Sequence, residues 1–453
     1  MTSPPLDPAR IGGGLFTDLY ELTMAAGYLQ AGLTHEATFD LFVRHLPERR
    51  RFLVAAGLAD VLDHLEALSF APAELDYLAS LSLFDDELLH HLAGLRFSGE
   101  VWAVPEGEVV FNAEPLLRVT APLIEAQLVE TRLLNIIGSQ TMVASKAARV
   151  AIACGHRRFV DFSARRDHGG DAAMQAARAS YVGGAVGTSL VAAAARYDIT
   201  PSGTMAHAFV MGFADERDAF RAFARRFPDG AVLLIDTYDT EEGARRAVEV
   251  AHELAPEGVH IAGVRLDSGD LVRLSHAVRQ ILDEGGLGDT SIFASGDLDE
   301  DRITELLAAG SPIDAFGVGT RLGTSADAPS LGAVYKLVDD AAGPKIKLSP
   351  DKVTLPGRKQ VWRVTDARGV ADHDVIGLES ESVDGRPLLE PVLRDGRRLA
   401  PSPPLSEARD RAATTIATLP SRLRTLTQRE LPYEVRRSPE LTALVERLTA
   451  THR

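Results

Sequence analysis

A single cysteine, Cys154, in 453 residues removes two modes of stabilisation at once. No internal disulfide can form, and no zinc cluster built on thiolates can assemble. Cys154 falls in a stretch rich in Ala, Val and Ile, the setting of an inert buried thiol. Long apolar runs are missing too: none approaches the ~18 residues of a membrane-spanning helix, and no basic segment followed by an apolar core opens the chain. These absences lead us to expect a cytoplasmic protein with no membrane partner. Basic charge is also short, with 48 Lys and Arg against 64 Asp and Glu and a formal net charge of −16. A nucleic-acid binder shows a basic face, so no nucleic-acid partner is expected. Anionic small molecules stay open, because local arginines set the local field. Heptads, low-complexity tracts and solenoid repeats are absent. What remains is ordinary for a globular protein, 45% apolar and 25% charged, with length for two or three domains.

What is present is a repeated pattern between residues 158 and 320, where five short apolar runs each stop at a cluster of Gly, Asp, Ser, Arg or His. Arg158 to Phe162 precedes Ser163-Ala164-Arg165-Arg166, and Val232 to Ile235 precedes Asp236-Thr237-Tyr238-Asp239. Ile261 to Val264 precedes Arg265-Leu266-Asp267-Ser268-Gly269-Asp270. Ile292 to Ala294 runs into Ser295-Gly296-Asp297, and Ala315-Phe316 into Gly317-Val318-Gly319-Thr320. Ile199-Thr200-Pro201 before Ser202-Gly203-Thr204-Met205-Ala206-His207 is a weaker sixth case. Helical patterns fill most gaps, clearest at 217–226, 241–254, 271–284 and 299–309. Buried strands followed by helices give parallel β/α units whose polar residues gather at one end, where such folds do their chemistry. We expect an α/β fold, with parallel β/α units in a sheet or barrel over 123–340, opened by a long helix at 123–153 and ending on a last strand at Ala333 to Val338.

The flanks differ. Residues 1–14 read as a loose arm, followed by a helix through Gln30 with Asp18 and Glu21 in capping-box spacing. Residues 37–44 alternate as a half-buried strand, and helices fill 56–95. Segments 101–104 and 108–111 flank the turn Pro105-Glu106-Gly107 as antiparallel strands, and Leu116 to Val119 continues that sheet. Residues 1–122 thus form an α+β domain. The segment 341–453, with a strand at Gln360 to Arg363 and a mainly helical tail from 402, returns toward it.

Arg265-Leu266-Asp267-Ser268-Gly269-Asp270 is the sharpest local signal. A sugar pyrophosphate with Mg²⁺ needs hard oxygen ligands, a guanidinium fork and donors that follow its phosphates, and this strand end carries all three. The bland alternative is a salt-bridged turn with Asp270 capping the next helix. Gly317 and Gly319 would let backbone N–H groups reach a phosphate. Phe162 and Arg165 suit a ring stacked on a planar substrate and a cation meeting its negative group, or a core ring and a surface charge. Asp236 and Asp239 are helix caps or site carboxylates. His207 beside bound phosphates is a hydrogen-bond donor, a general base or a phosphoryl acceptor, which position alone does not separate. Tyr20 by itself reads as a half-buried helix tyrosine.

In register, these residues resemble the nicotinate phosphoribosyltransferase family. The matching stretches are Gly14 to Tyr20, Phe162 to Arg166, Ser202 to His207, Val264 to Leu271, Ser295 to Asp297, Phe316 to Thr320 and Leu355 to Val361. The resemblance implies a type II phosphoribosyltransferase fold, an irregular α/β barrel over 123–340 plus an α+β domain built from N- and C-terminal segments. It implies the reaction of nicotinate with 5-phosphoribosyl 1-pyrophosphate to give nicotinate mononucleotide and pyrophosphate in NAD salvage. Mg²⁺ would assist, and ATP would be hydrolysed through a transient phosphohistidine at His207. Phe162 resembles one stacking face for the pyridine ring, and Tyr20 the other, supplied by the neighbouring subunit of a homodimer with shared active sites. Arg165 would sit near the substrate carboxylate and the phosphates, Arg265 and Asp267 resemble the residues holding the ribose and pyrophosphate, and Thr204, Ser268 and Gly269 are also expected to bind substrate. Gly296, Asp297, Gly317, Gly319 and Thr320 resemble the 5′-phosphate and ribose cradle. Asp236 and Asp267 are the expected metal carboxylates. Leu190 and Ala208 depart from the family, which often has Asn and Ser there. The rivals are nicotinamide and quinolinate phosphoribosyltransferases and a catalytically silent nucleotide sensor on the same fold.

Overall fold

The structure, a computed structural model, describes residues 13–349, 354–426 and 432–451, so the arm expected at 1–14 falls almost wholly outside the described residues. The chain divides into two compact units. One joins residues up to Met142 to those from Ser330 to Arg424 and to the C-terminal stretch; the other comprises Val143–Pro329.

The first unit is built on a seven-stranded sheet. The strand Glu36–Val43 lies inside it, antiparallel to Ala333–Asp340 on one side and to Pro115–Pro122 on the other. This changes two expectations. Every residue of the strand after Glu36 is buried, so it is not half-exposed. Its polar positions meet partners inside the protein: Asp40 Oδ2 pairs with Lys359 Nζ at 2.8 Å and the Thr38 and Thr120 hydroxyls meet at 2.9 Å. Burial pushes the Asp40 carboxyl up and the Lys359 ammonium down, and each partner opposes the other's shift. In addition, Ala333–Asp340 does not close the β/α series but belongs to this antiparallel sheet.

The turn at Pro105-Glu106-Gly107 exists, with the Glu108 amide donating to the Pro105 carbonyl at 3.1 Å. Its flanks do not pair with each other. Glu100–Ala103 joins Pro115–Pro122 and Glu390–Arg394, whereas Val109–Val110 pairs with Leu53–Val54 in a separate two-stranded sheet. The turn therefore hands the chain from one sheet to another. No capping box forms at Asp18 either. Glu21 instead accepts from the Thr131 amide at 3.0 Å, the Thr131 hydroxyl at 2.6 Å and the Thr17 hydroxyl. The helix expected at 123–153 is two, Leu123–Leu128 and Glu130–Cys154, with Val129 between them. Lys359–Thr365 and Ala371–Leu378 form the centre of a four-stranded sheet, and helices Leu405–Thr418 and Pro439–Thr451 fill much of the tail.

The second unit carries the β/α pattern. Five parallel strands lie in the spatial order Arg158–Asp161, Ala315–Val318, Ser291–Ala294, Ile261–Leu266, Ala231–Leu234. Single parallel bridges from Asp161 to Thr188 and from Thr188 to Pro201 extend the set by two positions. No ladder among the described residues joins Pro201 to Ala231–Leu234, and this gap makes the barrel irregular. Leu233, Leu234, Val264, Leu266, Ile292 and Phe316 are buried in one core cluster. Such strands, covered on both faces, must be almost wholly apolar, and polar residues are left to the ends. Four helices start on an Asp whose carboxylate accepts a backbone N–H: Asp215, Asp239, Asp270 and Asp299. Such caps fix where each helix leaves its loop. No helix among the described residues is long and apolar enough to cross a membrane.

Candidate active site

At the carboxyl ends of the parallel strands, three adjacent loops are tied together. Asp236, after Ala231–Leu234, accepts with one oxygen from the Asp267 amide at 2.9 Å and the Ser268 hydroxyl at 2.7 Å. Its other oxygen is buried without a partner. Asp267 in turn accepts from the Ser295 hydroxyl of the next loop. Gly296 has φ +91°, and a Cβ there would lie 1.9 Å from the Asp267 carbonyl oxygen. Only a glycine lets these two loops approach so closely.

Arg265 rises from the strand Ile261–Leu266. Its Nη1 donates to the Thr204 hydroxyl at 2.7 Å, and Nη2 lies 3.8 Å from Asp267 Oδ1. Its Nε is buried and unpaired. Burial pulls the guanidinium below its ordinary pKa, Asp267 and Asp236 oppose that, and Arg165 adds a like-charge push. It is still cationic at neutral pH. This is an under-bonded cation in a partly dry place, where an anion would gain most. Beside it opens a cleft of ≈ 520 Å³ whose walls include Asp267, Ser268, Gly269, Gly296 and Asp297.

His207 spans the gap in the ring of strands. Its Nδ1 lies 3.1 Å from the Thr237 hydroxyl, and its Nε2 lies 4.0 Å from Asp267 Oδ2. The loops after Pro201 and after Ala231–Leu234 thus meet through side chains where no ladder joins them. Thr237 and Ser295 were not singled out from sequence. Their signal was adjacency to Asp236 and Gly296 at strand ends, which is weak for a hydroxyl.

Phe162 follows Arg158–Asp161 and is half-buried, its ring 5.8 Å from that of Phe293. Gly317 lies inside its strand, opposite Val160, and a Cβ there would be 2.6 Å from the Phe162 ring. Gly317 therefore makes room for that ring, a different part from presenting an amide to phosphate. Gly319 and Thr320 stand beyond the strand, at the start of the short helix Thr320–Gly323. Arg165 is exposed on a 3₁₀ turn. Two residues on, Asp167 has a buried, unpaired oxygen, and burial pushes its carboxyl up to about 6. Asp239 and Asp270 are helix caps, which separates them from Asp236. Tyr20 lies in the first unit, 47% exposed, and burial and the Glu130 carboxylate push its hydroxyl pKa up. Its neighbour Glu21 is fully buried, and burial raises that carboxyl to about 7.

Residues 15–138 match the family model for the nicotinate phosphoribosyltransferase N-terminal domain, and residues 157–339 match that of the nicotinate phosphoribosyltransferase family. The chain belongs to the nicotinate phosphoribosyltransferase family. Within it, the chain is 49% identical over 437 residues to a nicotinate phosphoribosyltransferase of Mycobacterium tuberculosis, covering 96% of this chain and 94% of that one. It is 45% identical over 380 residues to the nicotinate phosphoribosyltransferase of Bacillus subtilis, covering 82% and 77%. The crystal structure of human nicotinic acid phosphoribosyltransferase superposes with a TM-score of 0.85 at 31% identity, covering 95% of this chain and 99% of that one. As a member of the nicotinate phosphoribosyltransferase family, the chain has the expected type II α/β architecture.

Proposed function

We propose that this chain joins nicotinate to 5-phosphoribosyl 1-pyrophosphate, releasing nicotinate mononucleotide and pyrophosphate, with Mg²⁺ and with coupled hydrolysis of ATP, in NAD salvage. The observation that carries the reading is Arg265, a desolvated guanidinium with an unpaired Nε, facing Asp236 and Asp267 at the strand ends. The pyridine nitrogen of nicotinate bears no proton at neutral pH, so its lone pair attacks ribose C1 as the bond to pyrophosphate breaks. No base is required. What the protein must do is hold the ring in line and stabilise the departing anion. Phe162 offers the stacking face, Arg165 the partner for the carboxylate, and Arg265 with Thr204 the contact for the leaving group. Gly296, Asp297, Gly319 and Thr320 line the 5′-phosphate and ribose.

The residues present fit Mg²⁺. Asp236 keeps a buried, unpartnered oxygen, and Asp267 a carboxylate facing the same cleft. No group of three or more His, Cys, Asp or Glu among the described residues forms a metal cage. Mg²⁺ commonly takes one or two carboxylates and leaves the other positions to water and substrate phosphates. When bound, it would neutralise charge on the departing pyrophosphate.

Steady-state assays with nicotinate and with nicotinamide test the reading. Arg165 is exposed, and among the described residues no hydrogen bond or ion pair ties it to a side chain that would compete for the carboxylate. A charge-assisted bond is worth on the order of 1.5–3 kcal/mol, so kcat/KM should favour nicotinate by roughly 10–150-fold. Equal values for the two substrates would sink the assignment of Arg165 and of the substrate.

We also propose a homodimer in which Tyr20 of one subunit completes the ring site of the other. The support is an aromatic side chain left 47% exposed beside the exposed Leu19. Mixed dimers of Tyr20→Ala and Arg265→Ala subunits, each inactive alone, should regain activity at the one intact site. No recovery after verified subunit exchange would mean each chain completes its own site.

A further inference from the structure

Glu130–Cys154 looks, from its composition, like an apolar packing helix, yet it sends two cations into the interior of the second unit. Lys146 Nζ lies 2.5 Å from Glu300 Oε2 and 2.8 Å from Asp327 Oδ1. Arg149 Nε donates to Glu300 Oε1 at 2.8 Å. Every one of these side chains is at least nine-tenths buried. The cluster is neutral, two cations against two carboxylates. Burial pushes the Glu300 carboxyl up, but Lys146 and Arg149 outweigh burial and hold it below its usual range.

Withdrawing four charges from water seldom makes a protein more stable than well-packed apolar residues would. Its attested use is to specify one geometry, and here the two carboxylates show which. Glu300 opens the helix Glu300–Ala308, just after the Gly296-Asp297 loop. Asp327 follows the other loop, Gly319 with the short helix Thr320–Gly323. Lys146 touches both. A second tie runs directly between the loops, from Arg321 Nη1 to Asp299 Oδ2 at 2.7 Å. Asp299 is itself the cap of Glu300–Ala308, accepting from the Arg302 amide at 2.9 Å. Loop, helix cap and clamp are thus joined in series.

We propose that Lys146 is a positioning residue for sugar-phosphate binding, holding the Gly296-Asp297 and Gly319-Thr320 loops at the spacing that a ribose 5-phosphate moiety requires. This rests on the assignment of those loops to the phosphoribosyl group. Lys146 touches no reacting atom and acts only through the loops. Two variants of the full chain test it. Asp327→Asn cuts the tie to one loop and leaves Lys146, Arg149 and Glu300 together, whereas Lys146→Met removes the lysine's contacts to both Glu300 and Asp327 and leaves the Arg321–Asp299 pair in place. Binding of ribose 5-phosphate is measured by calorimetry, KM for each substrate by steady-state kinetics, and folding by thermal unfolding. The dissociation constant for ribose 5-phosphate and the KM for phosphoribosyl pyrophosphate should rise about tenfold, more in Lys146→Met than in Asp327→Asn. The KM for nicotinate should stay within about twofold. A purely structural cluster predicts lowered thermal stability with both KM values unchanged or shifted together, and that result overturns the proposal. If the unsubstituted protein binds no ribose 5-phosphate and turns over no phosphoribosyl pyrophosphate, the loop assignment falls and the clamp falls with it.

Discussion

Arg265→Ala should lower the rate of nicotinate mononucleotide synthesis about 10²–10³-fold, roughly 2.7–4 kcal/mol of transition-state stabilisation, while leaving the fold intact. The reasoning starts from its contacts. Its Nη1 is spent on the Thr204 hydroxyl, Nη2 is 3.8 Å from Asp267, and its Nε is buried with no partner. A buried guanidinium donor without a partner is costly unless a bound group satisfies it. This one keeps part of its fork for something absent from the chain. Charge on pyrophosphate grows as the bond to C1 breaks, so the contact strengthens toward the transition state and its loss appears in kcat. Asp267→Asn should act in the same direction, because Asp267 also accepts from Ser295 and faces His207 at 4.0 Å. Arg265→Lys keeps the charge but not the planar fork, and should recover only part of the rate. Near-normal turnover in Arg265→Ala, with normal thermal unfolding, would mean the residue merely fills the strand end.

The strand ends were legible because burial on both faces leaves no alternation to read. Val232 to Ile235 and Ile261 to Val264 are plain apolar runs, and the polar residues that follow sit at the end of the sheet, Asp236 just past Ala231–Leu234 and Arg265 in the last two residues of Ile261–Leu266. Which of those polar residues cap helices was not legible. Asp236 and Asp239 follow the same apolar run, and only the fold shows that one bridges two loops while the other caps the next helix, accepting from the Glu242 amide. Strand partners were the larger failure. Ala333–Asp340 follows the β/α series in sequence, yet it pairs with Glu36–Val43, almost 300 residues away. Local pattern says that a segment is extended; it says nothing of the neighbour it finds. The same holds for Val101 to Val104 and Glu108 to Phe111, which look like one hairpin and enter two sheets. Buried polar pairs hide for a related reason. Asp40 breaks an apolar strand and reads as solvent-facing until Lys359, distant in sequence, is seen to reach it. Lys146 inside an Ala-rich helix is missed in the same way.

His207→Asn should reduce ATP-dependent phosphorylation of the protein to background and separate ATP hydrolysis from nucleotide synthesis. The geometry bears on which nitrogen carries the phosphoryl group. Nδ1 is held 3.1 Å from the Thr237 hydroxyl, while Nε2 faces Asp267 across 4.0 Å in the space where phosphates would lie. If Nδ1–H donates to Thr237, the tautomer leaves a lone pair on Nε2, and that atom is nucleophilic near neutral pH. On the proposed route Nε2 would attack the γ-phosphorus of ATP, forming a P–N bond as the bond to the bridging oxygen breaks to release ADP. Water would later take the phosphoryl group and return the imidazole. Because the pyridine nitrogen needs no base, glycosyl transfer does not require His207, and some ATP-independent synthesis should survive in the variant. Thr237→Val removes the hydrogen bond that selects the tautomer and should slow labelling without abolishing it. The measurement is incubation with γ-labelled ATP, followed by peptide mapping and a stability test, since phosphohistidine is labile in acid and stable in base. Label mapped to another residue, or undiminished in His207→Asn, would remove His207 from the phosphoryl path and leave it a hydrogen-bonding group beside Asp267.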